Sequence, residues 1–206
     1  MSKFAKMPTT YSKQPSKLLV YRWGGAFGPF KVNIPCGECT LTKDIIETTL
    51  EDELSGTHVE VEYKDWLTHL PEAILKGARH APAVLLNGKV ISQGVAINRG
   101  TLAAAVMVDH VDRYPIEGNH VFGKKNCGYC TKAKEFLDAQ GIQYIYHDVV
   151  ENPAALYEMI TRAKQNVGGK TPITTPQIWL DGRYVGGYDK LVETFEKVEE
   201  VAAGAA

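Results

Sequence analysis

The chain has 206 residues, of which 44% are hydrophobic and 23% charged, and its formal net charge is −1. This composition is typical of a globular protein long enough for two domains of about 100 residues. The near-neutral charge argues against a general nucleic-acid or membrane-surface binder, and the longest apolar run, 102–108, is too short to cross a bilayer. Four cysteines in two CxxC pairs are too few for a disulfide scaffold and fit redox pairs in a reducing compartment.

The first predicted elements lead to the first CxxC pair. Residues 1–16 contain lysines but no continuous apolar core, so we interpret them as a flexible, mildly basic extension and expect a cytoplasmic protein. Residues 18–21 form an apolar run of strand length. The glycine- and proline-rich segment 24–35 predicts an irregular loop, and a helical pattern follows from Cys36-Gly37-Glu38-Cys39.

The next elements complete one small domain. Residues 59–63 alternate between apolar and polar, which is typical of a half-buried strand, and Asp65 is a candidate cap for a following helix. Pro82 precedes two short apolar runs around Asn87-Gly88, a strong hairpin signal. Asn98 is placed to start a last helix.

The same order of elements then returns after a connection at 109–119. The second CxxC pair, Pro176 and the turn Asp181-Gly182 follow their first-half counterparts at a nearly constant spacing of 91 to 94 residues. This spacing predicts a duplicated domain. The element order resembles the thioredoxin fold, so the predicted fold class is α/β, with two tandem thioredoxin-like domains that each have a mixed four-stranded sheet flanked by helices. The predicted boundaries are 17–110 and 119–206, joined by a linker at 111–118.

The second pair, Cys127-Gly128-Tyr129-Cys130, stands between a short strand and a helix. Unpaired amides and the positive end of the dipole at a helix start stabilise a thiolate, which can lower a cysteine pKa from about 8.5 to roughly 3.5–7.5. Lys124 and Lys125 are close enough in sequence to assist. Cys130, one turn later, can attack a mixed disulfide at Cys127. The alternatives are two buried thiols, half of a zinc site, or a zinc site of all four cysteines, for which both pairs would have to leave their domains.

Three separated motifs occur in the second half: VFGKKNCGYC, TTP before a strand, and VGGYD after it. In content and order they resemble dithiol glutaredoxins over residues 119–200. The resemblance implies a glutathione-dependent thiol-disulfide oxidoreductase that reduces protein disulfides and glutathione mixed disulfides. It implies that Cys127 is the nucleophile and Cys130 the resolving thiol. Glutathione and disulfide-containing or glutathionylated proteins are then the expected partners of a monomer, with no nucleic-acid or membrane partner.

The resemblance also implies a glutathione site. Its expected residues are Lys124, Lys125, Tyr129, Thr175, Pro176, Gly187, Tyr188 and Asp189. Gln165 or Lys170 are further candidates for the glycine carboxylate. The family keeps the proline cis, which predicts a cis Thr175-Pro176 bond and a cis Ala81-Pro82 counterpart. Many relatives carry an acidic or hydroxyl residue where this chain has Lys190, which affects the expected binding of the γ-glutamyl group.

A second function is compatible with the same motif. Some relatives with glycine instead of proline after the first cysteine hold a [2Fe–2S] cluster between two monomers, with glutathione as co-ligand. The resemblance therefore implies Cys127 as a cluster ligand in that alternative, acting in cluster storage or transfer. Otherwise no metal is expected.

The first pair has different surroundings. The Gly-Gly-Tyr-Asp motif is missing, and Gln93-Gly94-Val95-Ala96 stands in its place. Glu38 lies between Cys36 and Cys39, and a negative charge opposes thiolate formation. We therefore expect a higher thiol pKa at this pair, a more stable disulfide, and electron flow from the first domain to the second. His80 is a candidate proton carrier or a solvated loop histidine, and an inert partner-binding domain is the non-enzymatic alternative.

Overall fold

The structure, a computed structural model, describes residues 15–32 and 34–203. The elements in chain order are β1 Ser16–Arg22, β2 Gly25–Phe27, β3 Phe30–Val32, α1 Gly37–Asp52, β4 Val59–Asp65, α2 Leu70–Leu75, β5 Ala83–Leu86, β6 Lys89–Gln93, α3 Arg99–Arg113, β7 His120–Gly123, α4 Gly128–Ala139, β8 Ile145–Asp148, α5 Pro153–Val167, β9 Gln177–Leu180, β10 Arg183–Gly186 and α6 Tyr188–Ala203. Within the described residues, no helix is long and apolar enough to span a membrane.

Two four-stranded sheets confirm the predicted duplication. The strand order is β4-β1-β5-β6 in the first sheet and β8-β7-β9-β10 in the second. In each sheet the two inner strands are antiparallel, the strand that follows the CxxC helix is parallel to the first, and the hairpin is antiparallel. The fold is therefore α/β with two thioredoxin-like units, each a mixed sheet flanked by helices.

The hairpins and the two prolines also agree with the predictions. Asn87 and Asp181 have positive φ angles of 49° and 47°, which suits two-residue turns between antiparallel strands. Ala81-Pro82 and Thr175-Pro176 are both cis. Each cis bond directly precedes an inner strand of its sheet. The turn before that strand is therefore alike in the two halves.

The two halves pack against each other through α3 and α5. Tyr157 of α5 packs against the core of the first half, and its hydroxyl donates to Glu53 at 3.2 Å. Glu53 also accepts from Arg99 at 2.8 Å. The buried Arg162 donates to the carbonyl of Tyr114 at 2.6 Å. The contact thus joins a helix of each half and the connection between them.

Four details differ from the sequence predictions. The segment 24–35 is not an irregular loop throughout, because it contains the β2–β3 hairpin, which Thr68 holds by accepting from Ala26 N at 3.0 Å. Asp65 does not cap a helix, because it ends β4 opposite Arg22, and α2 starts only at Leu70. The connection predicted from residue 109 is shorter, because α3 continues to Arg113. Of the predicted 1–16 extension, residues 1–14 lie outside the described residues, and Ser16 belongs to β1.

Candidate active site

Each CxxC pair lies at the start of a helix, where the sequence placed it. Cys36 is the N-cap of α1 and Cys127 the N-cap of α4, and each Sγ accepts a hydrogen bond from the backbone N–H of its partner cysteine at 3.2 Å. The two cysteines of each pair form a disulfide. Cys36 and Cys127 are half-buried, whereas Cys39 and Cys130 are buried. The outer cysteine of each pair is therefore the one that a substrate can reach.

The second centre brings Thr175 next to the outer cysteine. The Sγ of Cys127 lies 3.8 Å from the carbonyl oxygen of Thr175 and 3.7 Å from its hydroxyl oxygen. The cis Pro176 follows directly, and its carbonyl oxygen would lie 3.8 Å from a methyl group placed on Gly187. Thr175, Pro176 and Gly187, predicted from separate motifs, thus adjoin one another beside Cys127.

Two tyrosines form the rim of the second centre. The exposed ring of Tyr129 lies 6.2 Å from the ring of Tyr188, at the first residue of α6. The ammonium group of Lys132 lies over the Tyr129 ring at 5.6 Å, within cation–π range. Asp189 follows Tyr188 and is exposed. The predicted residues Tyr129, Tyr188 and Asp189 therefore lie along one edge, and Lys132 adds a positive charge there.

The charged and amide side chains predicted around the second centre differ in whether they already have partners. Lys125 forms an exposed ion pair with Glu151, which raises the pKa of Lys125 through a hydrogen bond and the opposite charge. Lys124 is exposed in the same loop. The Gln165 amide donates to Asp112 of the first half at 2.9 Å, so it takes part in the contact between the halves. Lys190 pairs with Glu193 at 2.6 Å.

Below the second disulfide, Tyr146 and Cys130 converge on Gly123. A methyl group on Gly123 would lie 3.0 Å from the Tyr146 hydroxyl oxygen and 3.2 Å from the Cys130 Sγ. Burial, reinforced by Asp148 and Glu151, raises the pKa of Tyr146. The hydroxyl therefore stays protonated, on the same side of Gly123 as the Cys130 Sγ. Glycine at position 123 is what leaves room for both groups.

The first centre opens instead on the side of its inserted hairpin. A cleft of about 400 Å³ is lined by both cysteines and by residues of β1, the β2–β3 hairpin, α1 and the connection after β1, including Arg22, Trp23 and Lys43. The backbone N–H of Trp23 donates to the Sγ of Cys39 at 3.2 Å. The inner sulfur of the first centre thus has a backbone donor, whereas the inner sulfur of the second shares the space around Gly123 with the Tyr146 hydroxyl.

Glu38, the third residue of the first CxxC motif, reaches a distant segment. Its carboxylate accepts a hydrogen bond from the backbone N–H of Ala96 at 2.5 Å. His80 is exposed, and its Cβ would lie 3.4 Å from a methyl group on Gly94. The proton-carrier role of His80 and the electron flow between the halves stay predictions.

Four contacts were missed by the sequence reasoning. Lys132 was detectable, because it lies three residues after Tyr129 on a predicted helix. The contacts at Tyr146, Trp23 and Ala96 depend on strand register or on loops far apart in sequence, so no local pattern indicates them. Within the described ranges, 15–32 and 34–203, no three His, Cys, Asp or Glu side chains group to hold a metal ion.

Comparisons with known proteins agree with the second centre. A sequence model described as Glutaredoxin matches residues 120–185. Glutaredoxin 3 of Escherichia coli (strain K12) is 35% identical over 71 residues, covering 34% of this chain and 77% of the relative, and Glutaredoxin 4 of the same strain is 32% identical over 74 residues, covering 36% and 58%. A crystal structure of a buckwheat glutaredoxin–glutathione complex overlaps 49% of this chain and 89% of that chain, with 20% identity and a TM-score of 0.40. The second half therefore carries thiol redox chemistry of the glutaredoxin kind, and the chain belongs to the glutaredoxin family.

Proposed function

We propose that the second centre is a self-sufficient, glutathione-dependent thiol-disulfide oxidoreductase acting on protein disulfides and on glutathione mixed disulfides. One observation carries the proposal. Cys127 is half-buried at a helix N-terminus and lies within 3.8 Å of Thr175, the residue before a cis proline. This arrangement offers a stabilised thiolate next to backbone groups that an extended thiol peptide can pair with.

Glutathione would lie across this centre, with its cysteine beside Thr175. Its γ-glutamyl carboxylate would meet the start of α6, where the backbone N–H groups of Tyr188 and Asp189 precede the first helical hydrogen bond, from Leu191 to Gly187. Unpaired N–H groups at a helix start favour an anion. Its glycine carboxylate would lie near Lys124 or Lys125, and the rings of Tyr129 and Tyr188 would flank the peptide.

The chemistry follows from these positions. The Cys127 thiolate attacks the glutathione sulfur of a mixed disulfide, and the substrate thiolate leaves and takes up a proton. A second glutathione thiolate then attacks the same glutathione sulfur, which gives oxidised glutathione and restores the Cys127 thiolate. With a protein disulfide, Cys130 instead attacks the Cys127 sulfur of the mixed disulfide. The product leaves as a thiol, and the Cys127–Cys130 disulfide forms.

The test is reduction of a small glutathione mixed disulfide, coupled to glutathione reductase, by the wild-type chain and by Cys127→Ser and Cys36→Ser. Because only Cys127 would attack glutathione disulfides, we expect Cys127→Ser to lose activity by about 100-fold or more and Cys36→Ser to keep it. Equal losses in the two variants would contradict a self-sufficient second centre. A wild-type chain without activity would contradict the proposal as a whole.

Several finer assignments stay predictions. The [2Fe–2S] alternative fits a half-buried Cys127 beside Gly128, which has open space above its Cα atom. A cluster would make anaerobically purified protein absorb visible light. The division into domains 17–110 and 119–206 with a linker at 111–118 is proposed from the sequence, and α3 extends three residues into that linker, to Arg113. The monomeric state and the cytoplasmic location are also proposed on sequence grounds only.

A further inference from the structure

The third residue of each CxxC motif faces the segment that follows the last strand of its own sheet. In the second half this residue is Tyr129, whose ring meets that of Tyr188. In the first half it is Glu38, whose carboxylate accepts from the N–H of Ala96 at 2.5 Å. The same helix position therefore makes an aromatic rim in one centre and a polar contact in the other.

The two segments can be compared because the hairpins before them match in register. Val84 pairs with Ser92 and Ile178 with Gly186, each next to a register shift at the same place in its hairpin. After this point α6 starts almost at once, at Tyr188. In the first half the segment 94–98 comes before α3, which starts at Arg99. The first half therefore places an extra stretch of backbone where the second half starts a helix.

The backbone donor in that stretch is the N–H group of Ala96, and its acceptor is the Glu38 carboxylate of the same chain. The proposed γ-glutamyl carboxylate of glutathione would use backbone donors at the corresponding place in the second centre. A hydrogen bond from an N–H group to an ionised carboxylate is stronger than one between neutral groups, so an incoming carboxylate must displace a bound competitor. Glu38 also adds a negative charge that opposes an anionic peptide.

We infer that Glu38 is a specificity-determining residue that closes the first redox centre to glutathione. The inference rests on the proposed glutathione site of the second centre. The first centre keeps its outer cysteine half-buried and accessible, so it still reacts with disulfides that carry no γ-glutamyl group. Glu38 thus separates the substrates of two centres that share one fold.

The test uses full-length chains in which Cys36 is the only remaining cysteine, after Cys39→Ser, Cys127→Ser and Cys130→Ser. Reduced protein reacts with oxidised glutathione or with neutral hydroxyethyl disulfide. In each reaction the Cys36 thiolate forms a mixed disulfide and releases one thiolate. Mass spectrometry follows the two rates. The rate with oxidised glutathione divided by the rate with hydroxyethyl disulfide measures the preference for glutathione. The rate with hydroxyethyl disulfide also shows that a variant is folded and reactive.

We expect Glu38→Ala to raise this ratio by about tenfold or more, because it removes both the carboxylate and the contact to Ala96. Glu38→Gln keeps an acceptor oxygen for the same N–H but loses the charge, so we expect it to raise the ratio less than Glu38→Ala does. Glu47→Ala removes an exposed carboxylate from the same helix and serves as the matched control for charge. An unchanged ratio in Glu38→Ala, or an equal rise in Glu38→Gln, would overturn the inference.

A parallel chain with Cys127 as its only cysteine separates this inference from the proposed function. Cys127 should show a high ratio in the same assay. If it does and Glu38→Ala gains nothing at Cys36, the inference alone fails. If Cys127 shows no preference for glutathione, both fail, because the inference depends on the second centre.

Discussion

The two redox centres share a framework and differ in what surrounds it. Each has a disulfide at a helix N-terminus and a cis proline directly before an inner strand, on a sheet of the same strand order. Around the first pair the chain adds the β2–β3 hairpin, a cleft and the Glu38–Ala96 hydrogen bond. Around the second it leaves a short loop and an open rim. The fold thus positions the cysteines, and the residues around them decide which disulfides reach them.

The difference extends to the inner cysteine of each pair. Cys39 accepts a hydrogen bond from the backbone of Trp23, whereas Cys130 lies with the Tyr146 hydroxyl above Gly123. A backbone donor is independent of side-chain identity, but a tyrosine hydroxyl can be removed by one substitution. The surroundings of Cys130 are therefore easier to change by a single substitution than those of Cys39.

The largest expected effect comes from removing the resolving thiol. Cys130→Ser should lower reduction of a protein disulfide by about 100-fold or more, because the mixed disulfide at Cys127 then has no intramolecular attacker. Removal of glutathione from a glutathionylated protein should continue, since free glutathione completes that reaction. Both substrates are measured with excess glutathione and glutathione reductase.

Cys39→Ser is the matched control in the first centre. It should leave protein-disulfide reduction and glutathione removal by the second centre unchanged. Loss of protein-disulfide reduction in Cys39→Ser as well would show that the two pairs work in series, and the contrast between them would then fail.

A smaller effect is expected from crowding the space below the second pair. Gly123→Ala places a methyl group 3.0 Å from the Tyr146 hydroxyl oxygen and 3.2 Å from the Cys130 Sγ, so one of them must move. Overpacking of this kind costs about 1–3 kcal/mol of the free energy of unfolding. Urea unfolding is followed by the fluorescence of Trp179, after Trp23→Phe and Trp66→Phe leave it as the only tryptophan.

Gly128→Ala provides the control, because a methyl group at that exposed position would meet no atom within 4 Å. It should change stability by much less than Gly123→Ala. Equal effects of the two substitutions would contradict the close packing of Tyr146 and Cys130.

The smallest expected effect is a dependence of stability on pH. His147 lies 2.9 Å from the ring nitrogen of His120, and burial together with the His120 and Arg162 charges lowers the pKa of His147. The unfolded chain therefore binds a proton at higher pH than the folded chain. The contribution of neutral His147 to the free energy of unfolding is complete above about pH 6.5, and it decreases as the pH drops below that value.

His147→Gln should reduce the slope of the free energy of unfolding against pH between pH 8 and pH 5, about the range over which a histidine titrates. Part of the slope should remain, because burial also lowers the pKa of His110. The first half has Lys64 at the corresponding register position, so it lacks this histidine. The exposed His80 provides the control, and a His80→Asn slope as flat as that of His147→Gln would contradict the assignment.

The sequence predicted the shared framework and missed what distinguishes the centres. The CxxC helices and the Asn87-Gly88 and Asp181-Gly182 turns follow from local residue chemistry, and both cis prolines were expected from the resemblance to glutaredoxins. The β2–β3 hairpin was predicted as a loop, because its glycines and Pro29 are typical of loops and its order comes from contacts with Thr68. Asp65 continues β4 because Arg22 lies opposite it, a partner 43 residues away.

The Glu38–Ala96 contact illustrates the limit most clearly. The two residues are 58 positions apart, and a carboxylate inside a CxxC loop suggests only an effect on thiol pKa. Its reach to the segment before α3 depends on where the sheet places that segment. Local patterns therefore predict which cysteines react, whereas the tertiary structure is needed to see which substrates they accept.

The most direct test of this account lets both centres compete in one molecule. A chain with Cys39→Ser and Cys130→Ser keeps both outer cysteines and cannot resolve a mixed disulfide at either. Reduced protein is exposed briefly to limiting oxidised glutathione, quenched with acid and digested, and mass spectrometry locates the bound glutathione. We expect glutathione on Cys127 before any appreciable amount on Cys36, and equal early labelling of both cysteines would contradict the role of Glu38.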